Sequence, residues 1–163
     1  SRLFQEVREI RGLCYSIYAF HWGFSDSGIF GIHAATGGEN LPELMPVIVD
    51  ELRKASQSID VQEIDRSRAQ VRAQLLMGQE SPAARAGQIA RQMMLYGRPI
   101  SNTEMMERLA GITPQRLTDL AGRLFFETAP TISAIGPLEQ LAPMHEISGA
   151  LSAGRASSFK AAG

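Results

Sequence analysis

The sequence has little of what catalytic and membrane-bound chains usually display. It holds a single cysteine, Cys14, among 163 residues, so no disulfide can form within the chain. Cys14 sits in an apolar run, where a buried, inert thiol is expected, and a lone thiol suits a reducing compartment. Apolar runs are short, and none approaches the ~18 residues of a bilayer span. A surplus of one charge is also missing: 16 basic and 17 acidic residues leave a net charge of −1. That balance argues against a nucleic-acid binder, which usually carries a basic surplus. There is no Gly-x-Ser-x-Gly elbow, no Walker loop and no Rossmann glycine pattern, so neither serine hydrolysis nor nucleotide binding has a basis here. Gly37-Gly38 is too short for a phosphate cradle and reads as a turn.

Metal ligands are sparse as well. The histidines are His21, His33 and His145, and none lies in a His-x-x-x-His or His-x-x-Glu-His pattern. A zinc site needs three or four ligands, commonly with two from one short motif. A hairpin can bring His21 and His33 face to face, but no third ligand accompanies them, and ordinary strand histidines are the better reading. Cys14 has no base near it in sequence. The paired carboxylates Asp50-Glu51 and Glu6 with Glu9 fall on helical patterns and read as solvated faces. Met93-Met94 and Met105-Met106 read as helix packing.

What is present is an ordinary globular composition, 44% hydrophobic and 20% charged, in a chain long enough for its own core. The chain starts at Ser1, without Met and inside a helical pattern. It is therefore expected to be an excised domain, and the lack of a leader bears on nothing upstream. Leu3, Phe4, Val7 and Ile10 predict a helix from Ser1 to Arg11, closed by Gly12 in the left-handed region. Leu13 to Phe24, rich in aromatic and β-branched residues, predicts a long strand. Ser25-Asp26-Ser27-Gly28 is turn chemistry, and Ile29 to Thr36 predicts a second, antiparallel strand.

Helices follow. Asn40 with Glu43 predicts a capping box and the stripe Leu41, Leu44, Ile48, Leu52 and Ala55, with Pro46 kinking the helix or delaying its start. Asp60 with Glu63 caps a helix through about Met77. Ser81-Pro82 opens one ending at Gly97, Ser101 with Glu104 opens one to about Ala110, and Thr113-Pro114 opens one to about Phe125. Thr131 to Ile135, between Pro130 and Gly136-Pro137, predicts a last strand. From Gly149 the Gly, Ala and Ser content predicts a disordered tail over residues 149–163. The order predicts an α+β two-layer sandwich: a mainly antiparallel sheet with helices packed on one face. The hairpin face carrying Tyr18, Phe20, Trp22 and Phe24 is expected to lie mostly under those helices. Any part left uncovered would favour a homo-oligomer of the isolated chain.

The stretch Ser1-Arg2-Leu3-Phe4-Gln5-Glu6-Val7-Arg8-Glu9, continuing through Arg11-Gly12-Leu13-Cys14-Tyr15-Ser16, resembles the C-terminal halves of the pitrilysin, or insulinase-like, zinc metallopeptidases. The branch it resembles is the processing-peptidase-like one. Phe24, Asp26, Gly28 and Phe30-Gly31-Ile32 look like that family's hairpin. The helix after Asp60, with Glu63 and Gln70 to Met77, and Ser81 with Arg85 continue the likeness. It covers residues 1 to about 140, and its first fifteen residues are the specific part.

The resemblance implies a domain, residues 1–148, that is the non-metal-binding C-terminal half of a pitrilysin-type peptidase, truncated at its start. Family members close two homologous halves around a chamber. The N-terminal half carries His-x-x-Glu-His and the zinc, with the Glu as general base. The C-terminal half contributes an Arg and, seven residues on, a Tyr that reach the substrate. Arg8 and Tyr15 match in type and spacing. A guanidinium donates several hydrogen bonds to substrate carbonyls, and a phenol donates to a developing oxyanion. Each residue also has a plain alternative: Arg8 as a cation near a helix C-terminus, Tyr15 as a half-buried strand aromatic. Arg11 is the neighbour most easily confused with Arg8.

This chain contains no His-x-x-Glu-His. The resemblance therefore implies a zinc endopeptidase parent, no metal and no catalysis in this chain alone, and an N-terminal zinc-binding half or partner subunit. A peptide substrate is expected, with neither nucleic acid nor membrane as partner. The alternatives are a non-catalytic partner or structural subunit of the same family, or a stand-alone module that binds peptides at a sheet edge. The bacterial look of the stretch points to a bacterial cytoplasm for the parent, with the periplasm as alternative.

Overall fold

The computed structural model describes residues 1–153. An opening helix (Phe4–Ile10) leads into strands β1 (Ser16–Gly23) and β2 (Gly28–Ala35). Six helices follow: α1 (Leu41–Gln57), α2 (Val61–Gly78), α3 (Pro82–Tyr96), α4 (Asn102–Ala110), α5 (Pro114–Phe126) and α6 (Met144–Ala153). The fold is α+β, with β1 and β2 paired antiparallel and helices against one face of the hairpin. The chain divides into two compact units. The first takes Ser1–His21, Phe30–Ser58 and the chain from Thr118 on, and the second takes Trp22–Ile29 and Ile59–Leu117.

In the first unit, the base of the hairpin is closed by the Tyr15 N–H donating to the Ala35 carbonyl at 2.8 Å. The Thr36 hydroxyl donates to the Leu13 carbonyl at 2.5 Å. Register is read from two opposed pairs. Tyr18 stacks on His33 with ring centroids 5.0 Å apart. Phe20 lies over Gly31, where an added Cβ would sit 2.3 Å from its ring. Side chains alternate along a strand, so Ile17, Phe30, Ile32 and Ala34 point to the other face. That face is the covered one. Ile17 is buried with Val7 of the opening helix and Leu44 and Ile48 of α1, while Ile32 and Ala34 pack against them. Phe125 of α5 meets Phe30, with centroids 5.3 Å apart. A second cluster joins Val49 of α1 to Ile147 and Leu151 of α6.

The expectation that helices cover the aromatic face is therefore reversed. Tyr18 is exposed, as are Trp22 and Phe24 in the other unit. Compact aliphatic side chains fill the interior side, where close packing is required. Tyr18 and His33 keep polar tips that water can satisfy on the outer side.

Other expectations also change. The capping box at Asn40 does not form: a 3-10 turn, Gly38–Asn40, runs straight into α1 and holds Asn40 helical, so its side chain caps nothing. Pro46 lies inside α1 without delaying its start. Thr131–Ile135 forms no ladder among the described residues. A β-favouring composition becomes a strand only where an edge pairs with it. Here Ile132 packs beside α6 while Ile135 is fully exposed. Residues 149–153, expected to begin a disordered tail, are the last turns of α6, because Ile147 and Leu151 share one buried face at i,i+4. Residues 154–163 lie outside the described residues.

The second unit is held by helix ends and a few polar ties. Asp60 and Glu63 form a full capping box on α2, and the Ser81 and Ser101 hydroxyls accept the N–H groups of Ala84 and Glu104. Arg68 of α2 donates to the carbonyls of Leu109 and Ile112, tying α2 to the end of α4. Gln92 of α3 is buried because its amide oxygen accepts the Ile100 N–H at 2.8 Å. Glu104 takes Arg98 at 2.7 Å and Arg108 at 2.6 Å. Those partners, Arg98 first, hold its carboxyl down to about 2. Among the described residues no helix is long and apolar enough to cross a membrane.

Candidate substrate-binding site

The opening helix is wound wide. Phe4–Ile10 is a π-helix, a rare geometry often met at functional sites. Its anchor is Val7, whose relative exposure is 0%. The winding closes on Gly12, whose φ of +64° a side chain would penalise. The Gly12 N–H donates to the Arg8 carbonyl at 3.1 Å, and the Leu13 N–H to the Val7 carbonyl at 2.9 Å. Leu13 and Cys14 then turn inward, and Tyr15 emerges.

Arg8 and Tyr15 thus stand on either side of one glycine turn, and both are exposed; Tyr15 reaches 81%. Arg8 lies over the Phe4 ring with its guanidinium carbon 4.9 Å from the centroid. It forms a long ion pair, Nε to Glu9 at 3.9 Å. Arg11 differs. One of its nitrogens donates to Glu43 at 3.2 Å, pinning it to the first turn of α1. The carboxylate expected to cap Asn40 serves instead as the anchor of Arg11, which separates the two arginines. Burial pushes the Cys14 thiol up, opposed in part by the positive charge of Arg8. Cys14 is therefore a packed core residue rather than a nucleophile.

The other candidates are not brought together. His33 faces Tyr18, which places it on the outer face; His21, at an odd position of β1, points to the opposite face. The two histidines therefore do not pair, as ordinary strand histidines need not. Asp50 and Glu51 are not a free acidic face either: both bind Lys54, each at 2.8 Å, and Glu51 is buried. Those two hydrogen bonds, that to Asp50 first, raise the Lys54 ammonium above its ordinary value. Met105 accepts amide donors from Gln88 and Gln92, a packing role. An apolar groove between Pro130, Ile132, Leu138 and Leu141 has no ionisable side chain in its lining. Sequence reading had missed Phe4 as a contact of Arg8, although the i,i+4 spacing of an aromatic and an arginine was its signal.

Residues 1–71 match the family described as Peptidase M16 inactive domain. An uncharacterised zinc protease of Rickettsia bellii is 34% identical over 137 residues, covering 84% of this chain and 33% of that protein. One from Streptomyces coelicolor is 34% identical over 149 residues, covering 90% and 32%. A probable mitochondrial-processing peptidase subunit beta of Arabidopsis thaliana is 29% identical, covering 81% and 25%. A chain of Complex III2 from Candida albicans, Inz-5 bound, superposes with a TM-score of 0.82 over 92% of this chain and 36% of that one, at 23% identity. The fold and sequence are those of the insulinase-like, or pitrilysin-type, zinc metallopeptidases. The chain corresponds to the C-terminal half of that family.

The chain spans about a third of the length of the curated relatives it matches. Zinc is the metal their names carry, and the residues here do not fit it. Among the described residues no three His, Cys, Asp or Glu side chains gather. His21 and His33 diverge, and Cys14 is buried. The metal's chemistry is therefore assigned to no residue of this chain.

Proposed function

We propose that this chain is the substrate-binding, chamber-closing half of a zinc-dependent endopeptidase that acts on peptides. The metal and the attacking water come from an N-terminal half or a partner subunit. The observation that carries this reading is the contrast between two arginines: Arg11 is spent on Glu43, whereas Arg8 stands exposed beside an exposed Tyr15 across the Gly12 turn. Arg8 would hold substrate carbonyls through its planar donors. Tyr15 would donate its phenolic hydrogen to the scissile carbonyl oxygen as that atom gains negative charge. One such donor contributes roughly 3 kcal/mol, or 10²–10³ in kcat. For the parent we propose a bacterial cytoplasm, in keeping with the bacterial relatives; recovery of the protein with periplasmic markers would count against it.

The test is made in the full-length peptidase. Tyr15→Phe should lower kcat about a hundredfold with KM little changed, since the missing bond is made in the transition state. Arg8→Ala should lower kcat/KM at least tenfold, a charged hydrogen bond being lost. Arg11→Ala should leave kcat/KM within about twofold, because an exposed ion pair contributes little. Unchanged turnover per zinc in both the Arg8 and Tyr15 variants would overturn the assignment. A parent with zinc bound and no measurable peptidase activity would point instead to a non-catalytic subunit.

A further inference from the structure

The contact between Phe4 and Arg8 has no counterpart in the reading above. Phe4 and Arg8 lie four residues apart on the π-wound helix, and the guanidinium carbon sits 4.9 Å above the ring centroid. Phe4 is itself half-buried, beside Leu3, which packs against the core. The ring is therefore seated, while the arginine above it is exposed. The Glu9 carboxylate is 3.9 Å from Nε, at the limit of an ion pair and with both side chains about half exposed. Such a pair contributes little in water.

Guanidinium geometry gives the stack its meaning. All five N–H donors of arginine lie in the plane of the group, and an aromatic ring attracts the face of that plane. A ring beneath the guanidinium therefore restrains the group without an acceptor atom taking one of its donors. A carboxylate partner acts oppositely, as at Arg11, where Glu43 takes a donor outright. The left-handed turn at Gly12, tied by its N–H to the Arg8 carbonyl, holds the backbone under the same side chain.

We infer that Phe4 is a positioning residue: its ring holds the Arg8 guanidinium in place by a cation–π contact and leaves the donors turned away from the ring for the peptide substrate. The inference rests on the proposed role of Arg8 in substrate binding. It adds a residue that touches no substrate itself, and it gives a reason for an aromatic, rather than merely apolar, side chain at this position.

The test uses Phe4→Leu and Phe4→Trp in the full-length peptidase. Leucine keeps the seat apolar and removes the π face; tryptophan keeps the π face and enlarges it. An exposed cation–π contact corresponds to about a two- to fivefold effect. Phe4→Leu should lower kcat/KM by that factor, and Phe4→Trp should restore it to at least the wild-type value. In an Arg8→Met background the Phe4→Leu effect should vanish, since nothing remains to be positioned. The second readout does not depend on turnover. Phenylglyoxal labelling of Arg8, followed by peptide mass spectrometry, should be faster in Phe4→Leu, with Arg11 unchanged as the internal reference.

Unchanged labelling of Arg8 in Phe4→Leu overturns the inference, whatever the kinetics show. So does a loss of kcat/KM that persists in the Arg8→Met background or is not recovered by tryptophan. Faster labelling of Arg8 combined with normal turnover in the Arg8 variants would keep the stack and sink the substrate role of Arg8, so the two readings fail separately.

Discussion

Replacing Gly12 by alanine puts the turn between Arg8 and Tyr15 to a quantitative test. Gly12 has a φ of +64°, and no atom lies within 4 Å of the position its Cβ would take. Steric crowding therefore adds nothing, and the cost is that of the backbone alone. An L-residue in the left-handed region costs roughly 1–2 kcal/mol. The substitution also restricts the unfolded chain, which returns ~0.4–1 kcal/mol. The net expectation is a loss of about 1 kcal/mol, or ~2–4 °C in Tm for a chain of this size. Gly122→Ala supplies the control. Gly122 lies inside α5, within the same compact unit, also with open space around its would-be Cβ and without a positive φ. There alanine should stabilise by ~0.5–1 kcal/mol. The same chemical change should thus have opposite signs at two sites in one unit. Urea denaturation followed by circular dichroism measures both, and an unchanged m-value assigns the difference to stability rather than compactness. Gly12→Asn should lose less than Gly12→Ala, because asparagine tolerates the left-handed region. A Gly12→Ala protein as stable as the wild type would refute the argument that this turn requires glycine.

Two further predictions concern stability. Glu104→Gln should destabilise the chain at neutral pH, because Arg98 and Arg108 hold the native carboxylate ionised. Its folded value is depressed to about 2 from an ordinary 4.5, so its contribution is present above 4.5 and disappears as the pH falls toward 2. Melting curves of the two proteins should therefore converge across that window; a gap that stays constant down to pH 2 would show that the pair is not the cause. Val7→Ala should cost roughly 2–3 kcal/mol, two buried carbons plus a cavity at a fully enclosed site. A midpoint shift in urea corresponding to less than about 1 kcal/mol would mean that the π-helix relaxes into the space.

Much of the fold was legible because local rules act within a few residues. Asp60 with Glu63, Ser81, Ser101 and Thr113 each announced a helix start, and each side chain accepts a backbone N–H as its type requires. Gly12 was legible as a left-handed stop and Gly97 as a helix end, and both have positive φ. The hairpin followed from aromatic and β-branched runs around Ser25-Asp26-Ser27. Where a rule depended on a distant partner, it misled. Glu43 had two suitors, and Arg11, thirty-two residues away in sequence, prevailed over Asn40. Thr131–Ile135 had strand composition and no edge to pair with among the described residues. The segment before α6 carried no capping signal strong enough to announce that helix, whose burial against Val49 depends on α1.

The candidate site divides the same way. The resemblance to the pitrilysin-type family, whose C-terminal half carries an Arg and, seven residues on, a Tyr, singled out Arg8 and Tyr15, and the sequence showed that no His-x-x-Glu-His accompanies them. Those are properties of order along the chain. Tertiary structure decided which arginine is tied to α1, because only folding brings Glu43 to Arg11 and leaves Arg8 over Phe4. It also decided which face of the hairpin is interior. Alternation divides β1 into two faces equally well in either direction, and the choice of the Ile17 face over the Tyr18 face depends on how tightly each packs against Leu44 and Ile48 of α1.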